Sequence, residues 1–374
     1  MNPTEYKIYC DLLHKIEIPY NATTQEQQEL LGPIKAWLEK NTPEKLYKYR
    51  CCNENNLNAF LNAQIWFAPG SKMNDDFDAL LYCDKNKILT DIHSLFDKDG
   101  YLIPLKNQKE NPVDLSELDK IFGIEGLSQT LNQQISSLGE SALIDCSKQI
   151  YKFIEDGFNE QFPFISQLEY NSTKFSSFCE DIDSPLMWGH YANNSTGFAL
   201  AYDFRNFKYN DCAPCPEYSK SCFTSNSLYP VEYRDTRLDA TDFARYIMQY
   251  ALTKHLLIMT NAPQPLWDRI LQTVRCQDVY MLTKIILQKS TEWRGEKEWR
   301  LTLVKSDQLE PCIKKKPCAL YLGRKISKAN ESLLRNIAHK HNIPVYKMYL
   351  DDTNREYKLI PKEVPNSPDD IILK

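Results

Sequence analysis

The chain has 374 residues, 42% of them hydrophobic and 25% charged, a composition that excludes a fibrous or disordered protein and leaves room for a large folded core. Its 45 Lys and Arg against 50 Asp and Glu give a formal net charge of −5, so no general basic field is present to attract a polyanion. Met1 to Ile18 mixes Glu5, Lys7, Asp11 and Lys15 with apolar residues, unlike a secretory leader, and nowhere do roughly 18 apolar residues run uninterrupted as a membrane span requires. The expectation is a soluble cytoplasmic protein with no membrane partner.

Taken in order, Thr23-Thr24-Gln25-Glu26 has the form of a helix start, and Leu30, Leu31, Ile34, Trp37 and Leu38 recur at helical spacing before Pro43 ends the run. Strands are predicted at Leu46–Arg50 and Ile65–Ala68, with a helix over Asn53–Asn62 between them. Leu115–Phe158 is helical and amphipathic. Phe175–Cys179 and the almost wholly apolar Gly197–Phe204 are strands, the second buried on both faces. Val231–Tyr233 is a further strand. Asp239–Gln288 is a long helical region interrupted at Pro263-Gln264-Pro265 and is expected to form a helical hairpin. Glu298–Val304, Ala319–Leu322 and Val345–Leu350 complete the strands, with a helix over Lys328–His339.

Strands dispersed among unequal helical stretches, without regular alternation, predict an α+β fold. Residues 1–44 form an N-terminal helical segment. Residues 45–374 form an α+β domain with helical insertions at about 85–165 and 239–290. Neither of the glycine-rich phosphate loops of nucleotide-binding folds occurs.

Twelve cysteines without a leader point to reduced thiols. Cys212, Cys215 and Cys222 are the best metal candidates, but no second cluster completes a four-ligand site, and no metal is expected. Lys314-Lys315-Lys316 could touch phosphate; a solvated strand edge is the plainer reading.

Four polar clusters lie beside apolar strand residues. In Tyr47-Lys48-Tyr49-Arg50, alternation puts Lys48 and Arg50 on one face and both tyrosines on the other, and an arginine at a strand end suits pyrophosphate or ribose, or else a surface ion pair. In the segment from Ser71 to Asp78, Asn74 and Asp75 form a side-chain-stabilised turn, Phe77 anchors the loop, and Asp78 adds a carboxylate. Ser176-Ser177 and Trp188-Gly189-His190-Tyr191 bring hydroxyls, aromatic faces and an imidazole to the central strands, which suits a nucleotide ring or a structural role. In Trp293 to Leu301, Glu296 and Glu298 are two residues apart. In an extended segment they share a side, roughly 6.5–7 Å apart, where burial would raise one carboxylate's pKa.

Together, Tyr47–Arg50, Trp66–Asp78, Trp188–Phe198 and Glu296–Arg300 resemble the signatures of a widespread bacterial family catalogued as a domain of unknown function. Asp76 stands where that family usually has proline. More distantly, an arginine on a first strand, a serine on a middle strand and a late E-x-E are similar to the pattern of ADP-ribosyltransferases, including toxins that modify nucleic acid. This likeness implies mixed or antiparallel sheets with large helical insertions. It implies that Arg50 holds NAD⁺, Ser176 or Ser177 braces the ribose, Glu298 is catalytic and Glu296 positions the acceptor. Tyr49, Trp188, Tyr191 and His190 would complete the cofactor wall, and Asn74, Asp75 and Asp78 an acceptor loop. The acceptor would be nucleic acid or protein, with an inhibitory antitoxin-type partner in a toxin or antiviral setting. Two other classes compete: a nuclease or other phosphate-transfer enzyme with Asp75, Asp78, Glu296 and Glu298 binding Mg²⁺, and a non-catalytic binding module.

Overall fold

The computed structural model describes residues 1–94, 109–110, 126–205, 228–259, 276–303 and 312–365. Cys212, Cys215, Cys222 and the Pro263–Pro265 break lie outside them. The described chain is mixed α and β, built on a largely antiparallel sheet. No helix among the described residues is long and apolar enough to cross a membrane.

Helix α1 (Pro3–Lys15) and α2 (Thr24–Asn41) open the chain. The Thr23 hydroxyl accepts from Glu26 N–H while the Glu26 carboxylate accepts from Thr23 N–H, the reciprocal cap anticipated from the sequence. Strand β1 (Leu46–Arg50), helix α3 (Glu54–Leu61) and strand β2 (Gln64–Trp66) follow. The chain kinks after β2, and β3 (Ala68–Pro69) joins a different sheet, so the single strand predicted over Ile65–Ala68 is two short ones. Helices α4 (Lys85–Ser94), α5 (Leu127–Ser137) and α6 (Glu140–Ser172) lead to β4 (Lys174–Cys179), the short α7 (Pro185–His190) and β5 (Phe198–Tyr202), which is buried throughout. Then come β6 (Leu228–Pro230), β7 (Glu232–Arg234), α8 (Thr241–Met259), α9 (Met281–Ile286), β8 (Gln288–Ser290) and β9 (Glu298–Leu303). Strands β10 (Cys312–Lys314) and β11 (Ala319–Leu322), helix α10 (Lys328–His341) and strands β12 (Val345–Leu350) and β13 (Leu359–Val364) close the fold.

The main sheet runs β13-β12-β11-β5-β1-β4-β9-β6, with β3 attached to β4. Its neighbours are antiparallel except β11 and β12. The core on one face joins Leu46, Phe178, Phe198 and Trp299 to Tyr9, Leu31 and Ile34, so the N-terminal helices share the sheet's own core. The other face carries Tyr49, Cys179, Trp188 and Tyr321. A separate helical core around Phe158, Phe243 and Met248 packs α8 against α6.

One irregularity positions everything that follows. Strands β1 and β4 are in register only at Tyr47 and Cys179. Further along, the β4 edge passes to β3, which pairs at Phe175 and Lys174. Between these two junctions β4 has lost one neighbour and not yet gained the next. The sheet splits there, and a cavity fills the split.

Candidate functional site

The cavity has a volume of about 330 Å³ and is walled by β1, β4, the segment after β3, Tyr191 and the approach to β9. Because it penetrates the sheet, residues from both faces reach it. On β1, Lys48 and Arg50 face Leu200 and Phe198, whereas Tyr47 and Tyr49 face Ala201 and Ala199. On β4, Ser177 lies opposite Arg300 and Cys179 opposite Glu298, while Ser176 and Phe178 belong to the other face. Arg50 and Ser176 therefore share one side of the sheet, and Ser177, Glu298 and Arg300 share the other. All of them except Arg300 line the cavity, along with Tyr49, Asn74, Asp78, Tyr191 and Glu296.

The first wall is cationic. Lys48 Nζ donates to Ser176 Oγ at 2.7 Å and to the Ser177 carbonyl at 2.9 Å, and lies 4.7 Å from the centre of the Phe178 ring. The lysine thereby satisfies a strand-edge carbonyl that the missing β1 partner would otherwise have bonded. Burial and then the neighbouring Arg50 push the Lys48 pKa well below its ordinary value, and burial lowers that of Arg50. Among the described residues, neither cation is in an ion pair with a carboxylate.

The second wall is a buried charge network that sequence reasoning saw only in part. Arg300, fully buried, holds Asp78 through Nη1 at 2.7 Å and Nη2 at 2.8 Å. It also holds Glu298 through Nε at 2.8 Å and Nη2 at 3.1 Å. Lys289 Nζ bridges the E-x-E pair, 2.6 Å from Glu296 and 3.2 Å from Glu298. Tyr191 donates to Glu296 at 2.5 Å and accepts from Asn74 at 3.0 Å. The Tyr233 hydroxyl takes the Glu298 N–H at 2.8 Å, and Ser177 lies on the same face of the sheet, opposite Arg300.

Burial alone would raise the Glu298 carboxyl, but Arg300 and Lys289 outweigh it and hold the pKa at about 2. The expectation that desolvation raises the pKa of one of the pair therefore fails for Glu298. Asp78 goes the other way, its burial outweighing Arg300. The geometry of the pair differs too. Glu296 ends a 3₁₀ turn (Thr291–Glu296), Lys297 has φ 46°, and only Glu298 belongs to β9. The two carboxylates meet because the backbone turns between them and Lys289 draws both in, not because the segment is extended.

Several expected contributors are elsewhere. Trp188 is fully buried behind Tyr49, edge-on at 5.1 Å, with its indole N–H on the Ile182 carbonyl. His190 is exposed on the last turn of α7 and is not part of the lining. Asp75 accepts from Phe77 N–H and makes the anticipated turn, but it does not reach the cavity. Phe77 is no anchor: it is 64% exposed and stacks under Arg237. Asp78 is the residue that ties this loop down.

Lys289 and Arg300 were missed. Arg300 was legible in principle, since an arginine inside an apolar strand requires a buried partner. Lys289 carries no comparable signal. Its ammonium sits among Glu296, Glu298 and Asp78, 3.9 Å from the last, where a divalent cation bridging them would have to go. Among the described residues, no group of three or more His, Cys, Asp or Glu is arranged to hold a metal ion.

Residues 187–301 match the model of a family described as "Protein of unknown function (DUF2971)". The match covers less than a third of the chain. It includes Trp188–Phe198 and Glu296–Arg300, whereas Tyr47–Arg50 and Asn74–Asp78 lie outside it. No curated protein and no solved structure matches the chain.

Proposed function

We propose that the chain is an NAD⁺-dependent ADP-ribosyltransferase whose cofactor enters the split between β1 and β4. The observation that carries this reading is the convergence on one cavity of Arg50, Ser177 and Glu298, which come from three distant stretches of chain. The charge pattern supports it. Lys48 and Arg50, in no ion pair with a carboxylate among the described residues, suit the two negative charges of a pyrophosphate. Across the cavity, Asp78, Glu296 and Glu298 outnumber Arg300 and Lys289 by one charge, which favours the cationic nicotinamide end there.

Cleavage of the nicotinamide–ribose bond releases a neutral leaving group and leaves positive charge on the sugar, so a fixed carboxylate is the main requirement. Arg300 and Lys289 keep Glu298 ionised and immobile, so that it need not reorganise as charge develops. Ser177, on the same face as Glu298 and lining the same cavity, braces the ribose with its hydroxyl. Tyr49 and Tyr191 provide the aromatic walls for the nicotinamide. Glu296, held by Tyr191 and Lys289, faces the acceptor, which is nucleic acid or protein. At about 330 Å³ the cavity is at the lower end of ligand pockets, so the adenosine half of NAD⁺ extends beyond it.

Calorimetry with NAD⁺ tests the binding half of this reading. Saturable binding is expected, weakened about tenfold or more in Arg50→Met by loss of a charge-assisted contact. Absence of binding to the wild-type chain would refute it. Binding without nicotinamide release on prolonged incubation would instead favour a non-catalytic module.

A further inference from the structure

The proposed transfer uses Ser177 and leaves Ser176 without a part, although Ser176 lines the same cavity and lies 2.7 Å from Lys48 Nζ. Three features of this pair go together. The lysine is held in place by its second bond, to the Ser177 carbonyl, which fixes its nitrogen 2.7 Å from Ser176 Oγ. It is in no ion pair with a carboxylate among the described residues, and burial and then Arg50 beside it outweigh the opposing pull of Cys179 and Glu298 and disfavour the charged form. In an antiparallel strand the N–H and C=O of one residue point to the same neighbour, so the Ser177 N–H faces the open split together with its carbonyl. Immediately after a nucleophilic serine, such an N–H is a donor for a developing oxyanion.

We propose that Ser176 and Lys48 form a serine–lysine acyl-transfer dyad, a second chemistry in this cavity, acting on esters or thioesters that carry an anionic group for Arg50. Ser176 Oγ attacks the acyl carbon while its proton passes to Lys48 Nζ. The tetrahedral oxyanion collapses, and the alkoxide or thiolate leaves with the proton from Lys48. Water then attacks the acyl-serine, again giving a proton to Lys48, which returns it to Ser176 as the acid departs. The assignment does not depend on NAD⁺ binding.

A fluorophosphonate probe tests it, because Ser Oγ displaces fluoride only when it is activated. With NAD⁺ absent, the wild-type protein is expected to gain one probe mass, mapped by peptide mass spectrometry to Ser176. Labelling should disappear in Ser176→Ala and slow by roughly a hundredfold or more in Lys48→Arg, which keeps a long hydrogen-bond donor there but cannot act as a base. Should Lys48→Arg fail to fold, the wild-type labelling rate against pH decides, since it must rise through a single ionisation. No adduct on Ser176, an equal yield in Ser176→Ala, or a flat pH profile would overturn the proposal.

Discussion

Glu298 is the residue on which the site's electrostatics turn. Its folded pKa of about 2 lies below the ordinary 4.5, because Arg300 and Lys289 more than offset the cost of burial. A depressed carboxylate contributes stability that is complete above its unfolded pKa and is lost as the pH falls through the folded one, here between about 4.5 and about 2. Asp78, raised by burial, acts in the opposite sense. The stability gap between the wild type and Glu298→Gln, measured by urea unfolding, should thus be widest near neutral pH and close as the pH approaches about 2. A gap that stays constant over this range would show that the charge of Glu298 is not what Arg300 and Lys289 hold. The residues that could be read from sequence were those marked by unusual context, such as Arg50 at a strand end and the acidic pair at the start of β9. Lys289 could not be read, because its meaning lies wholly in three carboxylates brought from two other segments of the chain.

At the scale of elements, the cleft depends on how β1 meets its two neighbours. Its pairing with β5 is continuous over five residues, while its pairing with β4 is a single register position. Gly197, just before β5, lets the chain pass against the end of β1: a Cβ there would lie 2.1 Å from the Arg50 carbonyl oxygen. Gly197→Ala is therefore expected to push β5 off β1 at the arginine, with a loss of about 1–3 kcal/mol and lower NAD⁺ affinity. Unchanged melting and unchanged binding would mean that this approach does not set the Arg50 position. The long or strongly apolar strands, β4, β5, β9, β11 and β12, were legible from pattern alone. Of the two- and three-residue strands, β7 was anticipated at Val231–Tyr233, whereas β6, β8 and β10 were not. They are too short to carry a period, and their identity is fixed by the neighbour that each one finds.

For the whole molecule, strand order does what adjacency in sequence cannot. Residues near positions 48, 177 and 298 come together because β1, β4 and β9 are consecutive in the sheet. The sequence order of arginine, serine and E-x-E suggested that they would meet. It did not indicate that Arg50 and Glu298 lie on opposite faces, joined only through a split. The resulting polarity, cations on one side and a net-negative network on the other, gives the cavity a direction that matches a molecule with an anionic middle and a cationic end.

The most direct test of that account is transfer from labelled NAD⁺. Purified protein is incubated with labelled NAD⁺ and with RNA, DNA or cell extract, beside Glu298→Gln at a temperature where both are folded. The account predicts label on an acceptor together with nicotinamide release, both reduced roughly 10²–10³-fold by the substitution. Undiminished transfer by Glu298→Gln, or no transfer and no nicotinamide release by the wild type, would contradict it.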